Sequence, residues 1–543
     1  MESTATHPTG DIPGSDHYDR SNLNQLAEQA EAAEHAESIV NALRNHKKAI
    51  FWAAMVSMCV IMEGYDTALL GSFYAYPEFA KKFGSYNSAS QNYQVSAPWQ
   101  AGLGNAAGVG AFFGAIFNGF LVDRFGQKRV ILVALAALTA FLFIVFFAPN
   151  ATVLLVGEIL CGIPWGTFAT SSPAYASEVL PLSLRVYMTS LTNMCFVIGQ
   201  LIASGVLTGM STVPNQWAYR VPFAIQWFWP TFLLPILLFA PESPWYLVRK
   251  GRLDEARHSL ERLHRSDADD INSVLSLIIH TDNQEQELLN VKTTYWNCFQ
   301  GVDARRTEIA CIVFLGQVTT GPWFAAQGTY FFEQVGLNTS QTYHLNVGGN
   351  ALGLFFCIVS WIVVIPNFGR RTIYLSGTLF MTIILFLIAL LNVSTNVRSV
   401  GIAQAVLTLV WTCAFQATVG QVGWSLPAEI SSTRLRQKTI VLGRNTYYIG
   451  SVIASVLEPY FVNPTAWNLK GYTGFFWGGT SFLTLIWAFY RLPETKGRSF
   501  EDLNILFANR VPTRQFKGYQ VDAFDTTGGE KSTVIQIENN ARV

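Results

Sequence analysis

Two carboxylates inside an apolar segment are the residues of this sequence best placed to do chemistry. Ala49–Phe73 is long enough to cross a bilayer, because roughly 20 helical residues span the hydrocarbon core, and it contains Glu63 and Asp66. Their spacing puts both on the same face of a helix. A charge at the membrane centre costs at least about 2.5 kcal/mol, so ionisable groups there are candidates for function. We predict a carboxylate pair that binds and releases a proton. The alternative is that both carboxylates lie at the outer interface and face water.

The composition is that of a membrane protein. Of 543 residues, 50% are hydrophobic and 13% are charged, whereas soluble domains carry about 25% charged residues. The formal net charge is zero, which gives no indication of a nucleic acid partner. The seven cysteines show no metal-ligand spacing, and the polar segment 1–48 has no apolar core typical of a signal peptide. We expect a polytopic membrane protein without a bound cofactor or metal.

Apolar segments predict twelve membrane spans, here called span 1 to span 12. Their predicted ranges are 49–73, 100–122, 130–148, 152–175, 187–209, 222–240, 307–333, 342–365, 372–392, 399–424, 440–462 and 473–491. Lys and Arg accumulate in the short loops after spans 2, 4, 8 and 10, which the positive-inside rule assigns to the cytosol together with both termini. The three Asn-x-Ser/Thr sequons, at Asn150, Asn338 and Asn392, fall in predicted outside loops and are candidate glycosylation acceptors.

A polar section divides the chain into two halves. We predict a cytosolic N-terminal tail, a six-helix bundle, a cytosolic linker with short helices, a second six-helix bundle and a cytosolic C-terminal tail. The corresponding ranges are 1–48, 49–240, 241–306, 307–491 and 492–543.

Motifs of the first half recur in the second. The matching segments are Gly126–Arg129 with Gly369–Arg371, Ser177–Arg185 with Ala428–Arg436, and Pro241–Pro244 with Pro493–Gly497. The second match keeps the spacing between a Glu and an Arg. Two parallel halves of this kind are typical of secondary transporters that rock around a site at the interface of the halves.

These motifs resemble those of the sugar porter branch of the major facilitator superfamily. Gly119–Arg129 resembles the superfamily's loop 2–3 motif, while Pro241–Arg249 and Pro493–Arg498 resemble the two sugar porter signatures that end spans 6 and 12. Gly157–Gly166 and Tyr219–Trp227 are similar to fungal α-glucoside (maltose-type) permeases. The resemblance implies an all-α membrane fold, with twelve transmembrane helices in two six-helix pseudo-repeats. It also implies proton symport of a sugar at the plasma membrane.

The resemblance adds a third acid to the predicted proton site. Many sugar porters carry an Arg in span 4 that pairs with an Asp of span 1, whereas Glu158 stands at that position here. The α-glucoside permeases are similar to this chain in having acids at the places of Glu63, Asp66 and Glu158, where they are implicated in proton coupling. Neighbouring acids in a low-dielectric site cannot all stay ionised. We predict that Asp66 and Glu158 share the transported proton and that Glu63 tunes it. The alternative for Glu158 is a hydrogen bond within the bundle.

A sugar site needs amides for the hydroxyl groups and an aromatic face for the apolar ring surface. Candidates within the predicted spans are Asn193, Gln200, Gln317, Gln327, Asn350, Gln421, Trp424 and Asn445. By resemblance, Gln317 matches the first Gln of the family's span-7 motif, and Trp424 matches the Trp that ends its span-10 motif. Any one amide between membrane helices makes an interhelical hydrogen bond about as often as a ligand contact. We therefore favour these two residues, which match the family's motifs.

Charged residues of the cytosolic loops predict a latch between the halves that stabilises the outward-open state. The predicted pairs join Asp123, Arg124 and Arg129 with Glu178 and Arg185, and Glu429 with Arg434 and Arg436. The alternative, a topology signal alone, explains the basic residues but not the Glu at equal spacing in both halves.

Together these features predict a proton-coupled symporter that imports an α-glucoside such as maltose by alternating access. Its partners would be a small sugar, a proton and the lipid bilayer, and we expect a monomer. No Walker motif is present, so the proton gradient rather than ATP would supply the energy, and no arrangement of nucleophile and base predicts an enzyme. The alternatives are a facilitator or symporter for a different sugar, glycoside or secondary metabolite, and a non-transporting nutrient sensor.

Overall fold

The computed structural model is almost entirely helical. It describes residues 20–73, 77–87, 92–210, 213–264, 268–289, 294–326, 339–393, 397–462, 467, 469–521 and 534–536. The strands of this described part form two short antiparallel hairpins, Ser85–Asn87 with Asn92–Gln94 and Tyr519–Val521 with Val534–Gln536. The predicted all-α fold is confirmed.

Helices occupy the position of every predicted span. In the first half they are Lys47–Ser57 and Val60–Phe73 (span 1), Ala97–Phe125 (span 2), Gln127–Phe146 (span 3), Ala151–Val179 (span 4), Leu182–Met210 (span 5), and Trp217–Ile225 with Phe228–Leu237 (span 6). Span 6 is interrupted at Gln226 and Trp227, between two short helices that each contain an internal proline.

The second half repeats this arrangement. Its helices are Gly301–Thr319 and Pro322–Ala326 (span 7), Thr339–Val359 continued by a π-helical turn and Ile365–Asn367 (span 8), Arg370–Leu391 (span 9), Val397–Ala417 and Val419–Ile430 (span 10), Arg436–Val462 (span 11) and Thr473–Arg491 (span 12). Among the described helices, nine are long and apolar enough to cross a membrane. They correspond to spans 1–5 and 8–11.

Shorter elements lie outside the spans. The α-helices among them are Arg20–Ala36, Ile39–Asn45, Pro77–Phe83, Pro244–Arg249, Leu253–Leu263, Ala268–Leu289 and Phe500–Ala508, and the 3-10 turns are Tyr295–Phe299, Lys470–Tyr472 and Thr513–Gln515. The predicted linker helices are present. The helix Arg20–Ala36, in the segment predicted only as a tail, is an addition.

Two hydrophobic cores correspond to the two halves. One gathers buried side chains of spans 1–6, and the other gathers those of spans 7–12 together with Val186 of span 5. Two smaller apolar clusters join the halves, one around Phe314 and Trp424 and one around Ala111 and Tyr448. Apolar packing as well as polar contacts therefore links the halves.

Glycines allow helices within a half to touch backbone to backbone. A Cβ on Gly110 of span 2 would lie 2.0 Å from the carbonyl oxygen of Ile159 in span 4, and a Cβ on Gly199 of span 5 would lie 2.2 Å from that of Ile61 in span 1. Small residues serve this purpose widely in membrane bundles. The contact of spans 1 and 5 fixes the helix that carries Glu63 and Asp66.

The close contact of spans 1 and 5 predicts the effect of a single methyl group. Gly199→Ala should force the two helices apart and destabilise the protein by about 1–3 kcal/mol, the usual cost of overpacking. Gly205→Ala, in the same span, should have little effect because a Cβ there meets nothing within 4 Å. Thermal unfolding of the purified variants in detergent measures both. Equal stability of the two variants would contradict this account.

Candidate transport site

A buried ion pair joins the two halves at Glu63. Arg444 of span 11 donates from Nη2 to Glu63 Oε1 at 2.9 Å, and the hydroxyl of Tyr448 donates to the same oxygen at 3.2 Å. Glu63 and Arg444 are both buried. Glu63 therefore faces the opposite half of the protein rather than water, and a cation compensates its charge.

Aromatic rings enclose the guanidinium of Arg444. Its Cζ lies 4.1 Å from the ring centroid of Tyr447, 4.4 Å from that of Trp424 and 4.8 Å from that of Tyr448. Such cation–π contacts are strongest when the cation is desolvated. Trp424, one of the two favoured sugar contacts, thus packs against the cation that holds Glu63.

Asp66 and Glu158 form a second group, in which no cation is described. Gln226, at the interruption of span 6, donates from Nε2 to Asp66 Oδ1 at 2.8 Å. The carboxyl group of Glu158 interacts electrostatically with that of Asp66. The two carboxyl groups also share a side-chain hydrogen bond, and neither oxygen of Glu158 has another hydrogen-bond partner within the described part of the chain. Two buried carboxyl groups in contact without a cation can coexist if they share a proton, because ionising both would leave two like charges in a low-dielectric site.

Two predicted amides bridge the halves. Asn193 of span 5 donates from Nδ2 to Gln416 Oε1 of span 10 at 2.9 Å. Asn350 of span 8 donates from Nδ2 to Ser204 Oγ of span 5 at 2.7 Å. In this conformation both amides make the interhelical hydrogen bonds that the sequence left as the alternative to ligand contact.

Other predicted amides are less well satisfied. Gln421 is fully buried, and its side-chain oxygen lacks a hydrogen-bond partner among the described residues, as does Asn445 Oδ1. Gln317 donates to the carbonyl of Gly420 at a long 3.4 Å. Buried amides normally have partners, so this part of the interface has spare hydrogen-bonding capacity that a polyol could use.

The remaining predicted sites are two glutamines of the predicted spans and the three sequon asparagines. Gln200 is half-buried in span 5, and Gln327 and Asn338 lie outside the described residues. Asn150 is exposed and caps span 4, accepting a hydrogen bond from the Val153 N–H at 2.9 Å. Asn392 is half-buried at the end of span 9.

A hydrogen-bonded network closes the predicted cytosolic end of the first half. Glu242 Oε1 accepts from the backbone N–H groups of Gln127 at 3.0 Å and Lys128 at 3.3 Å. Ser243 Oγ donates to Glu178 Oε2 at 2.5 Å. Burial raises the pKa of Glu242, and the hydrogen bonds from backbone N–H groups oppose this rise. A Cβ on Gly126, which has a φ of +88°, would lie 2.4 Å from Glu242 Oε2.

The second half contains the same network. Glu494 Oε1 accepts from the backbone N–H of Arg370 at 2.8 Å, and Thr495 Oγ1 donates to Glu429 Oε2 at 2.5 Å. A Cβ on Gly369 would lie 1.9 Å from Glu494 Oε2. The repeated motifs of the sequence therefore build the same contacts twice, as expected for a duplication.

Charged residues beside these networks connect the halves. Lys438 of span 11 pairs with Asp123 of span 2. Glu178 of the first network has its Oε1 3.8 Å from Arg436 Nη1 of span 11, and it also accepts from Arg249 of the linker at 3.2 Å. The predicted cytosolic side is closed in this conformation.

The individual partners differ from those predicted. Glu429, expected to pair with Arg434 and Arg436, lies 3.5 Å from Arg370 Nε, while Arg434 binds Asp282 of the linker at 2.9 Å.

Three predicted arginines of the first half also behave differently from expectation. Arg185 stacks on Phe500, with Cζ 3.7 Å from the ring centroid. Arg124 and Arg129 are exposed and take part in no ion pair that the structure describes.

Sequence reasoning missed several buried polar residues of the bundle, both in the site and, for Glu458, outside it. Arg444 and Glu458, a buried acid that accepts from Trp477 Nε1 at 2.8 Å, both lie inside a predicted apolar span, which is the signal that could have identified them. Gln226 and Gln416 also lie inside predicted spans, but amides are frequent near helix ends and breaks and stand out less than charged residues do. Their roles follow from contacts between distant segments.

The ion pair between Glu63 and Arg444 predicts that a second substitution restores the stability lost by the first. Arg444→Gln should destabilise the protein by about 3–5 kcal/mol, because it leaves a buried carboxylate without its cation. The double variant Glu63→Gln/Arg444→Gln should recover most of this loss, since two neutral amides can bond to each other. Thermal unfolding of the two variants measures the difference. A double variant no more stable than Arg444→Gln would refute a mutual dependence of the pair.

The ion pair between Asp123 and Lys438 predicts a charge-swap effect on closure. Lys438→Asp should open the predicted cytosolic side about fivefold more often, which corresponds to ~1 kcal/mol for a partly exposed pair. The swap Asp123→Lys/Lys438→Asp should restore closure. Cys298, buried at that side beside Thr439, reports opening through its rate of alkylation, measured by mass spectrometry. Equal alkylation rates in Lys438→Asp and the swap would contradict the expectation.

Comparison with known proteins places this architecture in a family. A family profile described as "Sugar (and other) transporter" matches residues 52–507. The chain is 38% identical over 506 residues to the maltose permease MAL31 of Saccharomyces cerevisiae, covering 92% of this chain and 82% of that protein. It is 37% identical over 537 residues to the general alpha-glucoside permease of Saccharomyces cerevisiae, covering 96% and 87%.

Solved structures agree on the fold. The chain superposes on the major facilitator superfamily proton:xylose symporter XylE bound to 6-bromo-6-deoxy-D-glucose with a TM-score of 0.74, at 19% identity, covering 85% of this chain and 100% of that one. It matches an inward-open conformation of the xylose transporter XylE from E. coli with a TM-score of 0.59, at 19% identity, covering 84% and 99%. The chain belongs to the family described as "Sugar (and other) transporter".

Proposed function

We propose that this protein is a proton-coupled symporter that imports an α-glucoside such as maltose across the plasma membrane by alternating access. The observation that carries the proposal is the buried carboxyl pair Asp66 and Glu158, which has no described cation. The chain's similarity to the maltose permease and to the general alpha-glucoside permease supports the substrate class. Both termini would be cytosolic, and the protein would act as a monomer.

The carboxyl pair supplies the proton site. With its exit to the cytosol closed, the pair holds one proton between Asp66 and Glu158, and Gln226 orients Asp66 through its hydrogen bond. Water that enters when the cytosolic side opens solvates the carboxylates and lowers the cost of ionising both. The proton then leaves toward the cytosol. This step needs only hydration and no further catalytic group.

The pair of Glu63 and Arg444 connects proton binding to the movement of the halves. Glu63 belongs to the same span as Asp66, while Arg444 belongs to the second half. Rocking of the halves moves span 1 relative to span 11, so this ion pair has to lengthen or change partners during the cycle. Glu63 thus adjusts the balance between the two conformations, as its predicted tuning role requires.

The sugar would bind between the halves near the unsatisfied amides. Gln421 and Asn445 offer hydrogen-bonding atoms without partners, and Gln317 makes one long hydrogen bond. Trp424 offers an apolar ring face beside them, as sugar sites require. Asn193 and Asn350 would exchange their hydrogen bonds across the interface for sugar hydroxyl groups.

Substitution of the carboxyl pair tests the proposal. Asp66→Asn and Glu158→Gln should abolish uphill accumulation of sugar, because a neutral amide cannot release a proton, while downhill uptake persists. The measurement is uptake of labelled maltose, with external pH recorded, in yeast lacking its own α-glucoside permeases. Wild-type protein should alkalinise the medium when maltose is added, and a protonophore should abolish accumulation.

A matched control variant distinguishes the loss of proton coupling from the general effect of neutralising a buried carboxyl group. Glu458→Gln also neutralises a buried membrane carboxyl group, and its side chain can still accept from Trp477, so it should leave accumulation intact. Accumulation that survives in both Asp66→Asn and Glu158→Gln would refute the proton site. Uptake without any change in pH would favour a facilitator, and absence of maltose uptake despite surface expression would favour a different sugar or glycoside.

A further inference from the structure

The helix Arg20–Ala36 lies across the closed cytosolic side. It packs against the linker helix Ala268–Leu289 and also contacts span 5. Its buried residues are the small side chains Ala27 and Ala30 and the acid Glu31. Alanine allows close approach but buries little apolar area, so this contact is weaker than one built from large side chains. Polar contacts must therefore contribute to the docking of the helix.

Three side chains of this helix bind residues around it. Ser499 Oγ, in the signature that follows span 12, donates to Glu31 Oε1 at 2.6 Å. His35 Nε2 lies 3.8 Å from Glu31 Oε1 and 3.7 Å from Asp502 Oδ2. Glu34 interacts electrostatically with Arg185 of span 5. The helix thus contacts the first half through Arg185 and the signature after span 12 through Ser499 and Asp502.

Beneath the helix, Phe500 lies between two arginines. Its ring centroid is 3.7 Å from Cζ of Arg185 in span 5 and 3.8 Å from Cζ of Arg436 in span 11. Spans 5 and 11 belong to opposite halves, so this stack has to come apart when the halves separate on the cytosolic side. A helix docked on Arg185, Ser499 and Asp502 opposes that separation.

We propose that the helix Arg20–Ala36 is a strap that holds the cytosolic side closed and docks more firmly as the cytosol acidifies. Docking itself does not depend on the transported substrate. The consequence for transport rests on the proposed function: each cycle of proton symport delivers a proton to the cytosol, so tighter docking at low cytosolic pH makes import self-limiting.

Protonation of the strap favours the docked state. The nearby carboxylates of Glu31 and Asp502 raise the pKa of His35 above its ordinary value near 6.5, against the opposing effect of burial. Burial raises the pKa of Glu34, against the opposing charge of Arg185. Burial and the charge of Glu31 raise the pKa of Asp502. A group whose pKa is raised in the docked state holds its proton more tightly there, so docking is strengthened below that pKa and lost as pH rises through it.

The other charged groups around the strap do not reverse the strengthening of its docking at low pH. Those that face it are Glu31, Glu37, Arg185, His264, His280, Arg498, Glu501 and Asp502. Glu501 follows the same rule, since burial raises its pKa while His280 opposes the rise. Burial lowers the pKa of His264 to about 4, so this side chain stays neutral in the relevant range.

A matched pair of substitutions tests the strap without touching the transport path. Ala27→Glu places a carboxylate in the buried face and should undock the strap, whereas Ala33→Glu makes the same change on the exposed face of the same helix. Sugar uptake is measured in cells whose cytosol is clamped at about pH 7.5 or about pH 6, the range in which histidine titrates. External pH stays constant.

The uptake comparison distinguishes slowing of uptake by docking of the strap from slowing by the direct effect of cytosolic protons on symport. Acidification should slow wild-type protein and Ala33→Glu about fivefold more than Ala27→Glu, within the usual range of coupling between two sites. His35→Gln should lose most of the pH dependence near neutrality. Equal slowing of Ala27→Glu and Ala33→Glu would overturn the proposal, even if both transport sugar normally.

Hydrogen exchange of the full-length protein in nanodiscs supplies a readout independent of transport. After correction for intrinsic exchange, amides of residues 25–36 should be better protected at about pH 6 than at about pH 7.5 in wild-type protein. They should be unprotected at both values in Ala27→Glu, while protection of the membrane spans is unchanged. Protection of this segment that does not vary with pH would refute the pH-sensitive docking, whatever substrate the protein transports.

Discussion

A low-dielectric interior allows a charge only if the charge is paired or removed by protonation, and the transport site depends on this constraint. Glu63 satisfies it with a cation, Arg444, held among aromatic rings. Asp66 and Glu158 have no described cation, and the proton that we propose they share would satisfy it. Breaking a buried ion pair costs several kcal/mol, whereas the protonated and deprotonated states of a carboxyl pair can be nearly equal in free energy. The proposed site therefore combines a stable charge with a transferable one.

On the predicted cytosolic side, the contacts within each half differ in kind from the contacts between the halves. Within each half, a signature carboxylate, Glu242 or Glu494, binds backbone N–H groups at the start of the next span. Those bonds fix the loop, and the glycine beside each carboxylate makes room for it. Between the halves, the contacts are ion pairs and cation–π stacks of long side chains, which water can replace at little cost when exposed. The halves can thus move as units while each keeps its internal network.

The sequence predicted the elements of the fold better than the contacts between them. Apolar length fixes the spans, and the recurrence of Ser177–Arg185 as Ala428–Arg436 anticipates the repeated networks, because both signals are local in the chain. The partner of Glu63 is 381 residues away, and no periodicity relates positions so far apart. Arg370 replaces the expected partners of Glu429 for the same reason: which arginine reaches a carboxylate depends on how spans 9 and 10 pack. The helix Arg20–Ala36 was missed because alanine and charged residues resemble a solvated tail.

The placement of the acids explains how a proton could influence the whole molecule. Asp66, Glu158 and Gln226 belong to spans 1, 4 and 6, so the proton travels with the first half. Glu63 lies on the same face of span 1 as Asp66, but its partner belongs to the second half. A change in charge at Asp66 alters the electrostatic potential at Glu63, because the two carboxylates are less than two helical turns apart in a medium that screens poorly. Neutralising Asp66 removes a like charge near Glu63, which makes the anionic form of Glu63, the form that pairs with Arg444, easier to maintain. Proton binding in one half is thereby coupled to the ion pair that joins the two halves.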